Sequence, residues 1–273
     1  TIPEFREQNY NMTLHEFKVI FWWEWGHRQL GRLIGLTVLI PLMFFYIKNG
    51  LWILKKYGLI FLLVCFQGFI GWYMVSSGLI DRVDVSHYRL SLHLVTAFII
   101  LSVVFWNFLK LTKIQTHYAS ININLVKFFL FLLFLQLIIG AFVSGMDAGN
   151  IYNTWPLMGL SYFPDDSQFI DFLNISVFDN PSIVQFIHRN LAYLIVGIYI
   201  YILFFIIKDQ NKIFRIPVVF MGASLFLQII LGIFTILSGV KIFYASLHQI
   251  NSILIILSTL YFLYITKYEE KTN

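Results

Sequence analysis

Four histidines occupy two pairs of similar sequence contexts and could bind metal through neutral imidazole nitrogens. His27 opens "HRQLGRLIG" and His188 opens "HRNLAYLIVG", while His93 lies in "LSLHLVTAFIILS" and His248 in "ASLHQINSILIILS". A neutral imidazole is a common axial ligand of haem iron, and facing helices of a bundle can hold the macrocycle between them. Independent packing needs would not place histidines twice at matching positions. The repeats therefore favour two haem sites, each with two histidine ligands.

The elements that position these histidines are predicted to be membrane-spanning helices. The chain of 273 residues is 59% hydrophobic and 12% charged, against about 25% charged in soluble domains. Since a bilayer core of about 30 Å needs roughly 20 apolar residues per helix, the long apolar runs predict seven spans. These are 27–47, 57–79, 90–110, 125–145, 188–207, 216–238 and 246–266. The fold class is therefore all-α, a polytopic transmembrane helical bundle.

The spans themselves repeat. The helix after His27 carries "QGFIGWYMVSSG" from residue 67, and the helix after His188 carries "QIILGIFTILSG" from residue 228. The fourth span has the same Gln-to-Gly pattern in "QLIIGAFVSGMDAG" but lacks a partner upstream. We therefore expect two pseudo-repeated four-helix halves, residues 1–118 and 119–273, with the first helix missing from this chain.

Charge and cysteine content exclude several classes of site and partner. The formal net charge of +5 is interpreted as a topology signal, so membrane lipid and not nucleic acid is the expected partner. The distribution of lysine and arginine predicts that the C-terminus lies inside and the four histidines near the outer face. Cys65 is the only cysteine, which excludes a disulfide within the chain, and it is interpreted as a packing residue.

Neighbouring residues leave alternatives open. Arg28, Arg89 and Arg189 near the outer boundary could pair with haem propionates or could simply extend to the membrane interface. A zinc or copper site would require all four histidines to converge, whereas the repeat separates them into two halves. The remaining histidines are expected to be solvated, and three glycines are interpreted as sites of close helix packing. These residues are His15, His87 and His117, and Gly71, Gly140 and Gly232.

The sequence resembles the haem A synthases of the mitochondrial and alphaproteobacterial type over nearly its whole length. The resemblance rests on "MTLHEFKVIFWWEWGHRQLGRLIG", "GWYMVSSGL", "SHYRLSLHLVTA", "DAGNIYNTWPLMG", "FIHRNLAYL" and "SLHQINSILI". It implies an oxidoreductase with eight helices in a bacterial inner or mitochondrial inner membrane. The implied reaction is oxidation of the C8 methyl group of haem O to a formyl group, which gives haem A for cytochrome oxidase.

The resemblance also implies a role for each histidine pair. His188 and His248 would bind a permanent haem b in the C-terminal half, beside Arg189. In the N-terminal half, His27 and His93 would flank the substrate haem O. Arg28 and Arg89 would then lie beside that substrate, and all four histidines would be iron ligands. Another branch of the family carries cysteine pairs in outer loops, which this chain lacks, so regulation through them is not transferred.

Glu24 is the candidate catalytic residue. It lies three residues before His27, one turn back on the same helical face, whereas the matching residue of the second half is Gln185. We hypothesise that Glu24 orients water or accepts a proton as the methyl carbon is oxidised. The alternative is a hydrogen bond that orients His27. If His27 and His93 both bind the substrate iron, either one dissociates during turnover or water supplies the oxygen.

Two other functions use the same residues. A dihaem b-type electron carrier would use the histidines as a relay, and a haem transporter or chaperone would bind the cargo without altering it. For the synthase, the resemblance implies a ferredoxin-type electron donor. Docking with the enzyme that makes haem O, and a homo-oligomer, both remain open.

Overall fold

The computed structural model describes residues 10–78, 84–112, 114–119 and 121–268. Seven of the described helices are long and apolar enough to cross a membrane, so the predicted all-α polytopic class is confirmed and the chain is an integral membrane protein. The helices are α1 (Leu14–Asn49), α2 (Trp52–Val75), α3 (His87–Leu111), α4 (Ile123–Gly145), α5 (Pro181–Lys208), α6 (Arg215–Leu237) and α7 (Ile242–Ile265). Residues 1–9 and 269–273, which belong to the two expected halves, lie outside the described residues.

Helix α1 is longer than the apolar run that predicted it. It contains 36 residues and is therefore about 54 Å long, well beyond the about 30 Å of a bilayer core. It begins with a capping box in which the Thr13 hydroxyl accepts from the main-chain N–H of Glu16 and the Glu16 carboxylate accepts from that of Thr13. Hydropathy marks only the part of a helix that suits lipid, so it missed the thirteen residues that precede His27 in α1.

The chain forms two compact units, residues 1–103 and 104–273. In the first unit, α1 packs against α2, and hydrogen bonds join α2 to the part of α3 that contains His93. In the second unit, α4 packs against α5 and α7, and α6 packs against both α5 and α7, which closes a four-helix bundle. The domain boundary expected at residue 118 rests on the sequence repeat and stays a prediction.

Short segments complete the second unit. Strands β1 (His117–Ala119) and β2 (Thr266–Tyr268) pair in parallel. The segment between α4 and α5 contains three 3-10 helices, Ala148–Asn150, Phe169–Leu173 and Ile175–Asp179. Asn180 then caps α5 by accepting from the main-chain N–H groups of Ser182 and Ile183, and Pro181 occupies the first turn, where its missing N–H costs nothing.

Candidate functional site

The four repeated histidines form two pairs, one in each unit. The ring centroids of His27 and His93 are 6.5 Å apart with an angle of 80° between the rings. Those of His188 and His248 are also 6.5 Å apart, with an angle of 66°. Two imidazoles that bind one metal from opposite sides, each with its nitrogen about 2.0 Å from the metal, have centroids about 6.2 Å apart. Both pairs therefore have the spacing needed to bind one iron between them.

Within the described residues, no larger cluster of metal-binding side chains competes with the two histidine pairs. Among the described residues, no three His, Cys, Asp or Glu side chains lie close enough to hold a metal ion together. Of the other histidines, His15 is exposed as expected. His87 is buried with 8% of its surface exposed, so the expectation that it is solvated was wrong. It begins α3 and its ring packs on that of Tyr88.

Each of three histidines faces a glycine on a neighbouring helix. A methyl group on Gly71 would lie 2.9 Å from Cε1 of His93, and one on Gly140 or Gly232 would lie 3.0 Å from Cε1 of the facing histidine. The partner of Gly140 is His188 and that of Gly232 is His248. Carbon atoms in contact prefer about 3.5–4.0 Å, so any side chain here would displace a ring. The close helix packing expected at these glycines is therefore only part of their role, because they also leave space for the histidine rings.

Glutamines four residues before these glycines hold the same histidines. The Gln67 side-chain amide donates to the His93 main-chain carbonyl over 2.9 Å, and that of Gln136 donates to the His188 carbonyl over 3.0 Å. The same amide nitrogens lie 3.2 Å from Nδ1 of His93 and 3.3 Å from Nε2 of His188. The Gln-to-Gly pattern was visible in the sequence as a repeat, but the pattern alone does not say which residue it faces.

Arg189 is anchored by the segment that precedes α5. Its guanidinium donates to the main-chain carbonyls of Leu157 and Tyr152, at 3.2 and 3.0 Å. Gln185, one turn earlier, donates to the same Tyr152 carbonyl over 3.1 Å. Arg189 is buried, and its Nε has no hydrogen-bond partner among the described residues. One N–H of this cation is therefore left to bind another acceptor.

The matching residues of the first unit are exposed and pair with each other. Arg28 donates to the Glu24 carboxylate over 3.2 Å, and the two side chains are 53% and 59% exposed. An exposed pair of this kind contributes only about 0–1 kcal/mol, so it can exchange partners at little cost. Gln185, the counterpart of Glu24, is buried and bonded to main chain. The two halves therefore differ here in environment as well as in residue type, because Glu24 is exposed and Gln185 is buried.

Arg89 is held at the end of α2. Its guanidinium donates to the Tyr73 carbonyl over 2.8 Å and lies 3.8 Å from the centroid of the Tyr73 ring. Carbonyls at a helix C-terminus lack partners in their own helix and favour a cation. The structure thus brings Arg89 to the end of the helix that carries Gly71, where its Nη1 is bonded to that helix.

The matching family model and the similar known proteins agree with each other on the kind of protein this chain resembles. Residues 1–260 match the family described as Cytochrome oxidase assembly protein. A Heme A synthase of Pelagibacter ubique is 50% identical over 265 residues, which covers 96% of this chain and 78% of that protein. A Heme A synthase of Maricaulis maris is 41% identical over 93% of this chain and 76% of its own length. One of Flavobacterium johnsoniae is 36% identical over 96% of this chain and 80% of its own length.

Proposed function

Since the chain belongs to the cytochrome oxidase assembly family, we propose that it is a haem A synthase, an oxidoreductase that converts the C8 methyl group of haem O to a formyl group. Several relatives named Heme A synthase match most of the chain. The observation that carries the proposal is the pair of matched histidine sites, each with ring centroids 6.5 Å apart. In the proposed reaction, one site binds the substrate and the other binds a haem that passes electrons.

His188 and His248 are the proposed ligands of a resident haem b. Their spacing fits two axial imidazoles, and Gly140 and Gly232 leave room for both rings. The unpartnered Nε of Arg189 suits one propionate oxygen, because a buried guanidinium donor gains most from an anionic acceptor. A haem b bound here would supply one-electron transfer. Gln136 and the main-chain carbonyl of Gln228 contact these two histidines and orient them.

His27 and His93 are the proposed ligands of the substrate haem O. His27 is exposed and His93 is partly buried, as suits a molecule that must enter and leave. Arg28 and Arg89 are the proposed partners of its propionates. Arg28 gives up only an exposed ion pair to reach one.

Glu24 is the proposed catalytic residue. Its carboxylate lies one turn before His27 on the same helix, and within the described part of the chain it is paired only with the exposed Arg28. When Arg28 turns to a propionate, the Glu24 carboxylate is released to accept a proton or hold a water molecule near the edge of the substrate. With water as the oxygen source, conversion of the methyl group to a formyl group releases four electrons and four protons. Dioxygen would accept the electrons as the terminal oxidant, and a carboxylate at this position can accept the protons in turn.

The remaining parts of the proposal concern location and partners. The proposed membrane is a bacterial inner or mitochondrial inner membrane, with both histidine pairs near the outer face. A ferredoxin-type protein is the proposed electron donor. Transfer of haem O from the enzyme that makes it would keep an apolar substrate out of water, and a homo-oligomer is compatible with this arrangement.

The pigment bound to purified protein tests the proposal. We expect haem b together with haem O, a hydroxylated intermediate or haem A when bound haem is extracted and separated by chromatography. His27→Ala should remove haem O and its products and leave haem b, while His248→Ala should do the reverse. Haem b alone, in equal amounts at both sites, would overturn the proposal in favour of a dihaem electron carrier.

A further inference from the structure

The two equivalent histidines of the halves, His93 and His248, are anchored in different ways. Nδ1 of His248 lies 3.0 Å from the main-chain carbonyl oxygen of Gln228. A carbonyl can only accept, so Nδ1 must carry the proton, and the lone pair lies on Nε2. At His93, both ring nitrogens face the amide nitrogen of Gln67, at 3.2 and 3.4 Å. That amide is a donor, so it does not place a proton on Nδ1.

Asn251 accounts for this difference. It is buried at 4% exposure, three residues after His248 on α7. Its amide donates to the Gln228 side-chain oxygen over 2.7 Å and to the Ser224 carbonyl over 2.8 Å. The Gln228 side chain is therefore occupied by Asn251, and only the Gln228 main chain meets His248. A buried asparagine in an apolar helix is tolerated because its donors have acceptors on α6.

The first half has a different residue at this position. Three residues after His93 stands Thr96, whose hydroxyl donates to the Leu92 carbonyl of its own helix over 2.7 Å. Among the described residues, Thr96 makes no hydrogen bond to the side chain of Gln67, which bonds instead to the main chain of His93. The two equivalent glutamines therefore differ. The Gln228 side chain is held away from the His248 ring, and the Gln67 side chain is turned toward the His93 ring.

We propose that Asn251 is a positioning residue that, through Gln228, holds His248 as the Nδ1–H form and makes the C-terminal histidine pair the tighter haem site. The proposal rests on the proposed function, in which both pairs bind haem. A main-chain acceptor on the far nitrogen of a ligating histidine fixes its orientation and raises its basicity, and losing such a partner typically costs about 10–100-fold in metal affinity. This explains why one of two similar sites would retain its haem while the other exchanges it.

Two variants test the hydrogen bond between the side chains of Asn251 and Gln228, one at each residue. Asn251→Thr copies the first half, and Gln228→Leu removes the side-chain acceptor but keeps the main-chain carbonyl. Asn251→Thr frees the Gln228 amide to turn toward His248, as Gln67 does toward His93. We expect it to speed transfer of haem from the C-terminal site to an excess of apoglobin by about 10–100-fold. The midpoint potential of that haem should become more positive, since a less basic ligand stabilises ferric iron less. Gln228→Leu has no amide that could turn toward the ring and keeps the main-chain carbonyl, so it should release haem at about the wild-type rate. The double variant should also release haem at about that rate, because Asn251 acts through the Gln228 side chain.

Ser252→Ala is the matched control. Ser252 is buried on α7 next to Asn251, and its hydroxyl donates to the Gln249 carbonyl of the same helix. It should leave the transfer rate and the potential unchanged. If Asn251→Thr loses its helical circular dichroism, Asn251→Ala takes its place, because it also releases the Gln228 side chain.

The outcomes separate this inference from the proposed function. If His248→Ala retains all haem b, the proposed function fails. The inference alone fails if His248→Ala loses haem b and Asn251→Thr releases it at the wild-type rate. It also fails if the double variant releases haem as fast as Asn251→Thr, because Asn251 would then act other than through the Gln228 side chain.

Discussion

Gly140 lies where a single added methyl group should disable the C-terminal histidine pair. That methyl would lie 3.0 Å from Cε1 and 3.6 Å from Nδ1 of His188. The first distance is about 0.5 Å shorter than the about 3.5 Å at which carbon atoms make contact. The His188 main chain is tied to α4 by Gln136, so the ring has to turn or shift. Ligand distances in metal sites hold within about 0.2 Å, which is less than the required movement.

Gly140→Ala is therefore expected to weaken haem binding at this site by about 10–100-fold, or about 1.4–2.7 kcal/mol. Haem content per protein and the rate of haem transfer to apoglobin are the measurements. The control is Gly197→Ala in α5, where a methyl group would have no atom within 4 Å among the described residues. Alanine favours a helix over glycine by about 0.5–1 kcal/mol, so this variant should be as stable as the parent or more so, with its haem retained.

Haem binding by Gly140→Ala and by Gly197→Ala, measured side by side, tests whether contact with the His188 ring is responsible. If Gly140→Ala binds and releases haem as Gly197→Ala does, His188 is not held against α4 in the way described. If both variants lose haem equally, the loss comes from a general response of the bundle to alanine and not from contact with the ring.

Three further changes have defined outcomes. Glu24→Gln should keep bound haem and abolish formyl production; loss of haem with unchanged chemistry in the remaining holoenzyme would refute its catalytic role. Although burial raises the pKa of Asp166, hydrogen bonds led by that from Ser182 lower it further, below the ordinary 3.8. Its stabilising effect is thus present above about pH 3.8 and is lost as the pH falls through the lowered pKa. Asp166→Asn should therefore reduce the acid-induced fall in the thermal midpoint, whereas an unchanged fall would assign it to other groups. Arg189→Met should remove a charge-assisted bond to the Tyr152 carbonyl, worth about 1.5–3 kcal/mol, and should speed proteolysis of the segment before α5; an unchanged rate would contradict the anchoring role.

The histidine pairs were predictable because the candidate ligand residues repeat together with the helices that carry them. His27 and His188 open the same motif, and the partner of each follows two helices later, so the sequence alone indicates which histidines pair. The seven spans follow from hydropathy for a similar reason, since lipid imposes one length on every crossing. Neither prediction required knowledge of how one helix is rotated against another.

The residues that support the histidines could not be assigned in this way. Whether Gly71 faces a ring or another backbone depends on the rotation and height of α2 against α3, which small differences in packing decide. Asn251 was equally hard to identify, because a polar residue in an apolar helix does not reveal its acceptor. The start of α1 was missed for a simpler reason. The sequence "TLHE" from Thr13 carries the capping-box pattern, but a search by hydropathy begins only where the apolar run begins.

The equal spacing of the two histidine pairs has a kinetic consequence. Both pairs have ring centroids 6.5 Å apart, so under the proposed function the two haem sites are preorganised and binding costs little for ordering the ligands. Association at the two sites should then be limited by how the macrocycle reaches each gap through the lipid, and not by rearrangement of the protein. Any difference in affinity between the sites should accordingly lie in residence time, which is where related binding sites usually differ.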